Sequence, residues 1–409
     1  MSRMLSSRSA ARVLQSLIES ELKTQRGPSS RPGNSAAAAS QVWRADLSLR
    51  DGTGSGLGLD SLETMAIGAA VNEMFHLYEN TSPPDLMEIE TFGGWLKAIE
   101  EAWDQGISKI TFLTSGSTGL PRRYTHDATF LIEEARFLAD YFQSCRRIIA
   151  LTPAHHIYGC ILTAFLADEL GVEVIGETTC TQSFLNHELV SGDLVITFPD
   201  RWAAINRTVS AWPPGVNGVV STAPCPAQLV MSLLERGLSG MTELYGSTET
   251  AGIGWRRHSD EAFTLMRHWR FPSSDGDPGG SLTRLERGEQ SYDVPDEFIR
   301  TGNRSFTVGA RRDGGVQVGG VNVWPQRVAA ELERHPEVER ASVRLKSTPS
   351  GARLKAFIVP VSANAEIGLH SRLDQWCMQR LSAVECPKSW TFGTNLPTNE
   401  FGKASDWVE

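Results

Sequence analysis

The hydrophobic positions of this chain follow two periods, one helical and one of strands. Apolar residues recur every three or four positions in four stretches, which predicts amphipathic helices at residues 11–22, 61–77, 91–103 and 127–142. In the second stretch, Asp60 or Ser61 is placed to cap the helix, and Glu63 adds a favourable negative charge in its first turn.

Short apolar runs between turn residues predict strands, at residues 107–113, 146–153, 192–198 and 217–221. Runs that are apolar at every position favour central, mostly parallel sheets of an α/β fold. Residues 296–308 alternate apolar and polar positions around Thr301-Gly-Asn303, which predicts a β-hairpin. Farther on, strands at 338–345 and 354–361 with helices at 326–334 and 373–381 predict a small α+β unit.

Length and charge narrow the functional classes. The 409 residues allow two or three domains, and the net charge of −9 argues against nucleic-acid binding as the main function. The six cysteines form no Cys-x-x-Cys pair, so neither a zinc site nor a disulfide framework is indicated. No apolar run approaches the length that spans a bilayer, and we expect a cytoplasmic protein.

A loop rich in hydroxyls and glycine follows the first predicted strand, with the sequence Thr114-Ser-Gly-Ser-Thr-Gly-Leu-Pro121 and then Arg122. Its glycines let backbone N–H groups converge, and its hydroxyls and the following cation can close around a polyphosphate. The alternative is an ordinary polar loop. The segment lacks the Gly-Lys-Ser/Thr ending of the common P-loop, which argues against an ATP-driven motor or a kinase.

A second motif, Tyr245-Gly-Ser-Thr-Glu249, carries chemistry suited to ATP. Tyr245 can pack on adenine, and Thr248 can donate to a phosphate. Glu249 can hold Mg²⁺, which prefers oxygen ligands. The alternative for Glu249 is a solvated surface carboxylate.

Both motifs resemble those of the acyl-adenylate-forming enzymes, the superfamily of acyl-CoA synthetases, peptide-synthetase adenylation domains and luciferases. The resemblance covers residues 106–409 and includes His156-x-x-Gly159 and a final Leu-Pro-x-x-x-x-Gly-Lys403. It implies a phosphate loop formed by these residues: Thr114, Ser115, Gly116, Ser117, Thr118, Gly119 and Arg122. It further implies that His156 borders the acid pocket, that Tyr245 and Gly246 contact the nucleotide, and that Lys403 reaches the α-phosphate.

Two residues compete for the ribose. The family places an aspartate there, and Asp296 lies at the expected spacing before Arg311, whereas Asn303 copies the usual Thr-Gly-Asp letters within the hairpin turn. We favour Asp296, because a carboxylate accepts two hydroxyl hydrogen bonds. Arg311 would contact ribose or phosphate, and Asp313 would be the hinge of a mobile lid.

The N-terminal segment resembles an acyl carrier protein, because Asp60-Ser61-Leu62 opens a helix in a helical prefix. That resemblance makes Ser61 a candidate for a covalent 4′-phosphopantetheine arm; a helix cap or a docking surface is the alternative. We therefore expect a carrier-like bundle at 1–105, an adenylate-forming core at 106–312 and a C-terminal lid at 313–409.

The function implied is ATP- and Mg²⁺-dependent activation of a small carboxylic acid, which we expect to be aromatic or medium-chain. Its acyl group would pass to coenzyme A or to the arm of a carrier protein. The alternative is a carrier or scaffold with a non-catalytic adenylate-binding domain, which the departures at Arg122, Asn303 and Ala310 keep open.

Overall fold

A computed structural model describes residues 4–26, 42–51, 56–114, 122–272, 281–285, 291–348, 351–362, 368–397 and 406–407. The helices in these ranges are α1 Ser7–Arg26, α2 Ser61–Phe75, α3 Phe92–Asp104, α4 Ala128–Tyr141, α5 Ile157–Cys160, α6 Leu166–Leu170, α7 Gln182–His187, α8 Pro199–Thr208, α9 Ala227–Glu235, α10 Pro325–Leu332 and α11 Leu369–Arg380. A 3₁₀ turn forms at Leu77–Glu79, and a π-helical turn, Ile161–Phe165, joins α5 to α6. No described helix has an apolar stretch long enough to cross a bilayer.

The strands follow the same order as the predicted apolar runs, with several short ones added. They are β1 Lys109–Thr114, β2 Arg122–Asp127, β3 Arg147–Ala150, β4 Glu173–Ile175, β5 Asp193–Thr197, β6 Asn217–Val220, β7 Gly240–Ser247, β8 Ala251–Arg256, β9 Phe263–Leu265, β10 Trp269–Arg270, β11 Ser281–Arg284, β12 Ser291–Asp293, β13 Asp296–Arg300, β14 Ser305–Arg311, β15 Val316–Val318, β16 Val321–Val323, β17 Val338–Thr348, β18 Gly351–Pro360 and β19 Ser389–Phe392.

In the described part of the chain, the central sheet has nine strands in the order β13-β14-β9-β8-β7-β6-β5-β3-β4. Strands β4, β3, β5, β6 and β7 pair in parallel, and every pairing from β7 onward to β13 is antiparallel. The prediction of a mostly parallel sheet is therefore wrong for half of it. The cause is local: three residues connect β7 to β8, too few for the crossover that a parallel neighbour requires.

The parallel strands are buried on both faces because helices cover each side. Successive residues alternate between two hydrophobic clusters, so that Ile148 and Val219 belong to one and Ile149 and Val220 to the other. This alternation explains why these runs are apolar at every position.

The carrier-like bundle predicted for the N-terminal segment is not confirmed. Side chains of α1, α2 and α3 share a single hydrophobic cluster with α4, the π-helical turn and the central sheet. Hydrogen bonds also join the N-terminal segment to the core. The Ser6 hydroxyl donates to Asp168 at 2.7 Å, and Arg12 donates to the Thr163 carbonyl at 2.8 Å. Within the described ranges, the prefix is thus a layer of the same core.

Ser61 is the first residue of α2 and is exposed. Of the two predicted caps, Asp60 is the one used: it accepts from the Glu63 N–H at 2.8 Å, while Glu63 accepts from the Asp60 N–H at 3.1 Å. This reciprocal box fixes the start of the helix. The phosphopantetheine arm on Ser61 stays a prediction.

The C-terminal unit has its own core. Strands β17, β18 and β19 form a sheet whose apolar face packs with α10 and α11. An ion pair joins the C-terminal unit to the core, with Arg353 Nη1 3.1 Å from Asp200 Oδ2.

The predicted β-hairpin is confirmed as β13 and β14, which pair antiparallel.

Candidate active site

The site forms where the parallel strands end. In α/β sheets, ligands bind beyond the carboxyl ends of the strands, because the loops leaving them converge there. The segments that follow β3, β5, β6 and β7 all contribute to one cavity of about 1320 Å³. Residues of the C-terminal unit, including Gly320, Leu345 and Ala352, complete its lining. The cavity therefore lies at the junction of the core and the C-terminal unit.

A pair formed by the partly buried Tyr245 and the buried Asp296 lies at one side of this cavity. Tyr245 donates its hydroxyl hydrogen to Asp296 Oδ2, and the Tyr245 ring packs against Phe263, Phe298 and Phe306. Burial raises the pKa of Asp296, and the hydrogen bond from Tyr245 partly offsets that effect. Within the described part of the chain, Asp296 Oδ1 forms no hydrogen bond, which leaves an acceptor at the cavity wall.

Arg311 lies opposite Asp296 in the register of β13 and β14. Its guanidinium donates two hydrogen bonds to Asp313, each 2.9 Å long, and these hold the pKa of Asp313 below its usual range. Asp313 also accepts from the Gly315 N–H at 3.0 Å, in the turn between β14 and β15. Asn303 lies exposed in the hairpin turn and does not line the cavity.

The phosphate-loop motif is only partly within the described residues. Ser115, Gly116, Ser117, Thr118 and Gly119 lie outside them, and so does Lys403. The two ends of the loop are paired across β1 and β2, with Thr114 opposite Arg122.

The strand that leaves this loop is tied to the second motif. His126 on β2 contacts the Thr248 carbonyl, with its Nε2 2.7 Å from the oxygen, and burial lowers the pKa of His126. The neutral imidazole can donate to that carbonyl. Burial raises the pKa of Tyr124; the nearby Glu249 carboxylate raises it further, and Arg122 acts against this. Of the predicted residues, Tyr245, Gly246 and Thr248 therefore line the cavity, and the strand that begins at Arg122 is joined to Thr248 through His126.

Among the described residues, no three His, Cys, Asp or Glu side chains form a metal-binding group. Glu249 is half-buried beside Tyr124. A single carboxylate suits Mg²⁺, which is commonly bound by one or two carboxylates together with substrate phosphates.

His156 is not among the described residues that line the cavity. It precedes α5, is exposed and is absent from the lining, whereas its neighbours Ile157 and Tyr158 line it. Next to it, His155 contacts the Ser16 hydroxyl of α1 at 2.8 Å, so the N-terminal helix supports this segment. The π-helical turn that follows supplies Ile161 and Leu162 to the wall; such turns are frequent at functional sites.

Glu134 is a lining residue that sequence analysis did not single out. It lies on α4, is 3% exposed and accepts from the Gly252 N–H at 2.8 Å. A signal was available, because Glu134 shares the helical stripe of Leu131, Ala135 and Leu138, all of which are buried. A carboxylate on an otherwise apolar stripe either has a buried partner or faces a cavity.

Comparisons with known proteins agree with this geometry. Residues 328–403 match the family model of the AMP-binding enzyme C-terminal domain. The chain is 35% identical to a 4-coumarate–CoA ligase of Halorhodospira halophila over 96% of this chain and 97% of that protein. It is 37% identical to a 4-coumarate–CoA ligase of Rhodobacter capsulatus over 86% and 90% of the two chains. The first match includes most of the N-terminal segment, so that segment is common to both proteins.

Two solved structures share the fold. The o-succinylbenzoate CoA synthetase of Bacillus subtilis aligns with a TM-score of 0.57 at 20% identity, over 72% of this chain and 67% of that one. A malonyl-CoA ligase aligns with a TM-score of 0.55 at 19% identity, over 70% and 71% of the two chains.

Proposed function

The chain belongs to the AMP-forming acyl-CoA ligases of the acyl-adenylate-forming superfamily, and from this premise we propose that its acid substrate is 4-coumarate, a 4-hydroxycinnamate. It is an acid–thiol ligase that activates a carboxylic acid with ATP and transfers the acyl group to coenzyme A. The observation that supports 4-coumarate as the substrate is the nearly full-length similarity to proteins named 4-coumarate–CoA ligase.

The lining of the cavity supports an aromatic acid. Apolar side chains from α5, the π-helical turn, β7 and the start of β8 line it together with the polar groups, as a flat hydrophobic ring requires. These side chains are Ile157, Ile161, Leu162, Leu244 and Ala251. Tyr245 and Asp296 line the same cavity, so one continuous space is available for both nucleotide and acid.

Two steps account for the reaction. A carboxylate oxygen of the acid attacks the α-phosphorus of ATP, and pyrophosphate leaves with the electrons of the broken P–O bond. The coenzyme A sulfur then attacks the acyl carbon of the mixed anhydride, AMP leaves, and the thiol proton passes to solvent. No protein nucleophile is required.

The chain's own groups bind and orient the nucleotide. Asp296 accepts the ribose hydroxyls through its free Oδ1, while the Tyr245 hydroxyl keeps that carboxylate in place. Arg311 contributes positive charge beside the ribose, and Thr248 and Gly246 border the phosphates. Glu249 would hold Mg²⁺, whose charge offsets that of the polyphosphate.

The resemblance assigns the phosphate loop and the C-terminal lysine to the first step. Residues 115–119 would cradle the phosphates with Arg122, and Lys403 would reach the α-phosphate during the first step. A turn of the lid about Asp313 would then withdraw Lys403 and admit coenzyme A.

The test is thioester formation with one acid at a time, followed by mass spectrometry. With ATP, Mg²⁺ and coenzyme A, we expect 4-hydroxycinnamoyl-CoA and AMP in equal amounts. Asp296→Asn should raise the KM for ATP by about tenfold or more, since a hydrogen-bonded charged group is lost. Asp293→Asn is the matched control, because Asp293 is exposed and lies outside the cavity lining.

Two results would overturn the proposal. Thioester formation with other acids but not with hydroxycinnamates would refute the substrate. ATP binding without pyrophosphate exchange for any acid would favour the non-catalytic alternative. Lys403→Ala separates the steps: it should abolish adenylation yet still convert a supplied acyl-adenylate to the thioester.

A further inference from the structure

Glu134 is a carboxylic acid buried in the wall of a cavity that is otherwise apolar on that side. It occupies the buried stripe of α4, and α4 packs on the π-helical turn that supplies Ile161 and Leu162 to the lining. Burying such a group is costly unless it is paired or hydrogen-bonded. The position therefore calls for a partner.

Within the described ranges, only one of the two Glu134 carboxylate oxygens has a hydrogen-bond partner. Oε2 accepts from the Gly252 N–H at 2.8 Å. Oε1 accepts no hydrogen bond from any residue that the structure describes. Arg284 is a nearby cation, but its hydrogen bonds go to other groups. Its Nη2 donates to Glu133 Oε2 at 2.6 Å and to the Phe130 carbonyl at 3.0 Å.

Gly252 fixes where this carboxylate points. A Cβ at residue 252 would lie 2.2 Å from Glu134 Oε1, so only glycine leaves room for the group. The Gly252 carbonyl accepts from the Trp269 indole N–H at 2.7 Å, which holds the peptide from its other side. Both Glu134 and Gly252 line the cavity. The result is an oriented acceptor beside the apolar wall.

We propose that Glu134 Oε1 accepts a hydrogen bond from the ring hydroxyl of the acid substrate, which makes Glu134 a specificity-determining residue for a phenolic acid. This inference rests on the proposed function and names the contact that would select within its substrate class. An ionised carboxylate only accepts hydrogen bonds, so a ring hydroxyl satisfies it, whereas a methoxy group or a bare ring leaves it without a donor.

Glutamine distinguishes this role from a purely structural one. In Glu134→Gln the amide oxygen can still accept from the Gly252 N–H, so the local structure has its hydrogen bond. The amide NH₂ then faces the cavity and needs an acceptor, which a methoxy oxygen supplies. A selective contact changes the order of substrates, whereas a structural one changes all rates together.

The experiment compares kcat/KM at pH 8 for 4-hydroxycinnamate, 4-methoxycinnamate and cinnamate. Wild-type enzyme should prefer the hydroxylated acid by at least about 100-fold, because an unpaired buried polar group penalises the analogues. Glu134→Gln should lower the rate with the hydroxylated acid by about 10- to 100-fold, as expected for losing a hydrogen bond to a charged group. It should reduce or reverse the preference over the methoxy acid and leave the KM for ATP unchanged.

Two further variants support the comparison. Asp140→Asn removes an exposed carboxylate from the same helix and should leave all three rates within about threefold. Glu134→Asp keeps the charge but has a side chain shorter by one methylene, so the carboxylate lies farther from the substrate. It should lower kcat/KM for the hydroxylated acid without raising that for the methoxy acid. It also keeps the inference testable if the glutamine variant fails to fold.

The outcomes separate the two proposals. If wild-type enzyme forms the hydroxycinnamoyl thioester but Glu134→Gln slows all three acids equally, or leaves their ratios unchanged, this inference is wrong and the proposed function stands. If wild-type enzyme accepts only acids without a ring hydroxyl, both fall.

Discussion

Glu134 also leads to a prediction about stability that needs no substrate. Burial is the largest cause that raises the pKa of Glu134 to about 7, from 4.5 for a solvated glutamate. Two groups act against it, the Gly252 N–H and the Arg284 charge, and Glu133 acts with it. A pKa difference of this size corresponds to about 3 kcal/mol between the folded and unfolded states.

The sign follows from proton linkage. Between pH 4.5 and 7 the unfolded glutamate has lost its proton, whereas the folded one retains it. The free energy of unfolding therefore falls as pH rises through this window and is constant, for this group, above pH 7. Glu134→Gln carries no titrating proton at this position. Relative to wild type, the variant should be about equal in stability near pH 4.5 and about 3 kcal/mol more stable above pH 7.

Urea unfolding of both proteins at half-unit intervals from pH 4.5 to 8.5 measures this difference. Subtracting one curve from the other removes titrations that the two proteins share. A difference that is flat with pH, or that falls as pH rises, would refute the claim that Glu134 is buried without a compensating charge. Asp140→Asn, with its exposed carboxylate, should give a flat difference.

Three other predictions concern single contacts. Tyr245→Phe keeps the aromatic packing but removes the donor to Asp296, so the KM for ATP in pyrophosphate exchange should rise by about tenfold, and an unchanged KM would contradict the proposed ribose contact. Asp193 is a fully buried carboxylate that accepts two hydrogen bonds from Arg147, of 2.8 and 2.7 Å. Asp193→Asn removes its charge and one of these acceptors, and should lower the free energy of unfolding by about 3–5 kcal/mol; a urea midpoint equal to wild type would disprove this. Arg353→Ala removes a partly exposed ion pair to Asp200, so stability should change by less than about 1 kcal/mol, and a larger loss would mean that this contact holds the C-terminal unit in place.

Much of the fold could be predicted because the decisive signals are local. The apolar stripe of residues 127–142 gives α4, and the alternation at 296–308 gives β13 and β14. Caps are local too: Asp60 and Asp127 each accept from the backbone of the helix that follows. Periodicity could not identify which strands become neighbours, and so the antiparallel half of the central sheet was missed.

For the candidate site, too, the sequence predicted some residues correctly as cavity-lining and others not. Motif spacing identified Tyr245 and Asp296 as nucleotide-binding candidates, and the cavity lining includes both. It preferred Asp296 to Asn303, which lies exposed in the turn. His156 matched a motif by letters, yet it is exposed and does not belong to the described lining of the cavity. The direction of a side chain depends on how neighbouring elements pack, which a motif does not encode.

By itself, the sequence determined the α/β class, the order of elements and the resemblance to adenylate-forming enzymes, because these depend on periodicity and on short ordered motifs. Two features became visible only in the tertiary structure. It joined the N-terminal helices to the core, since one cluster buries Leu14 and Ile18 of α1 together with Ile148 of the central sheet. It also brought Glu134 to Gly252 across 118 positions of the chain. Both depend on contacts between distant segments, and these form only when the whole chain is packed.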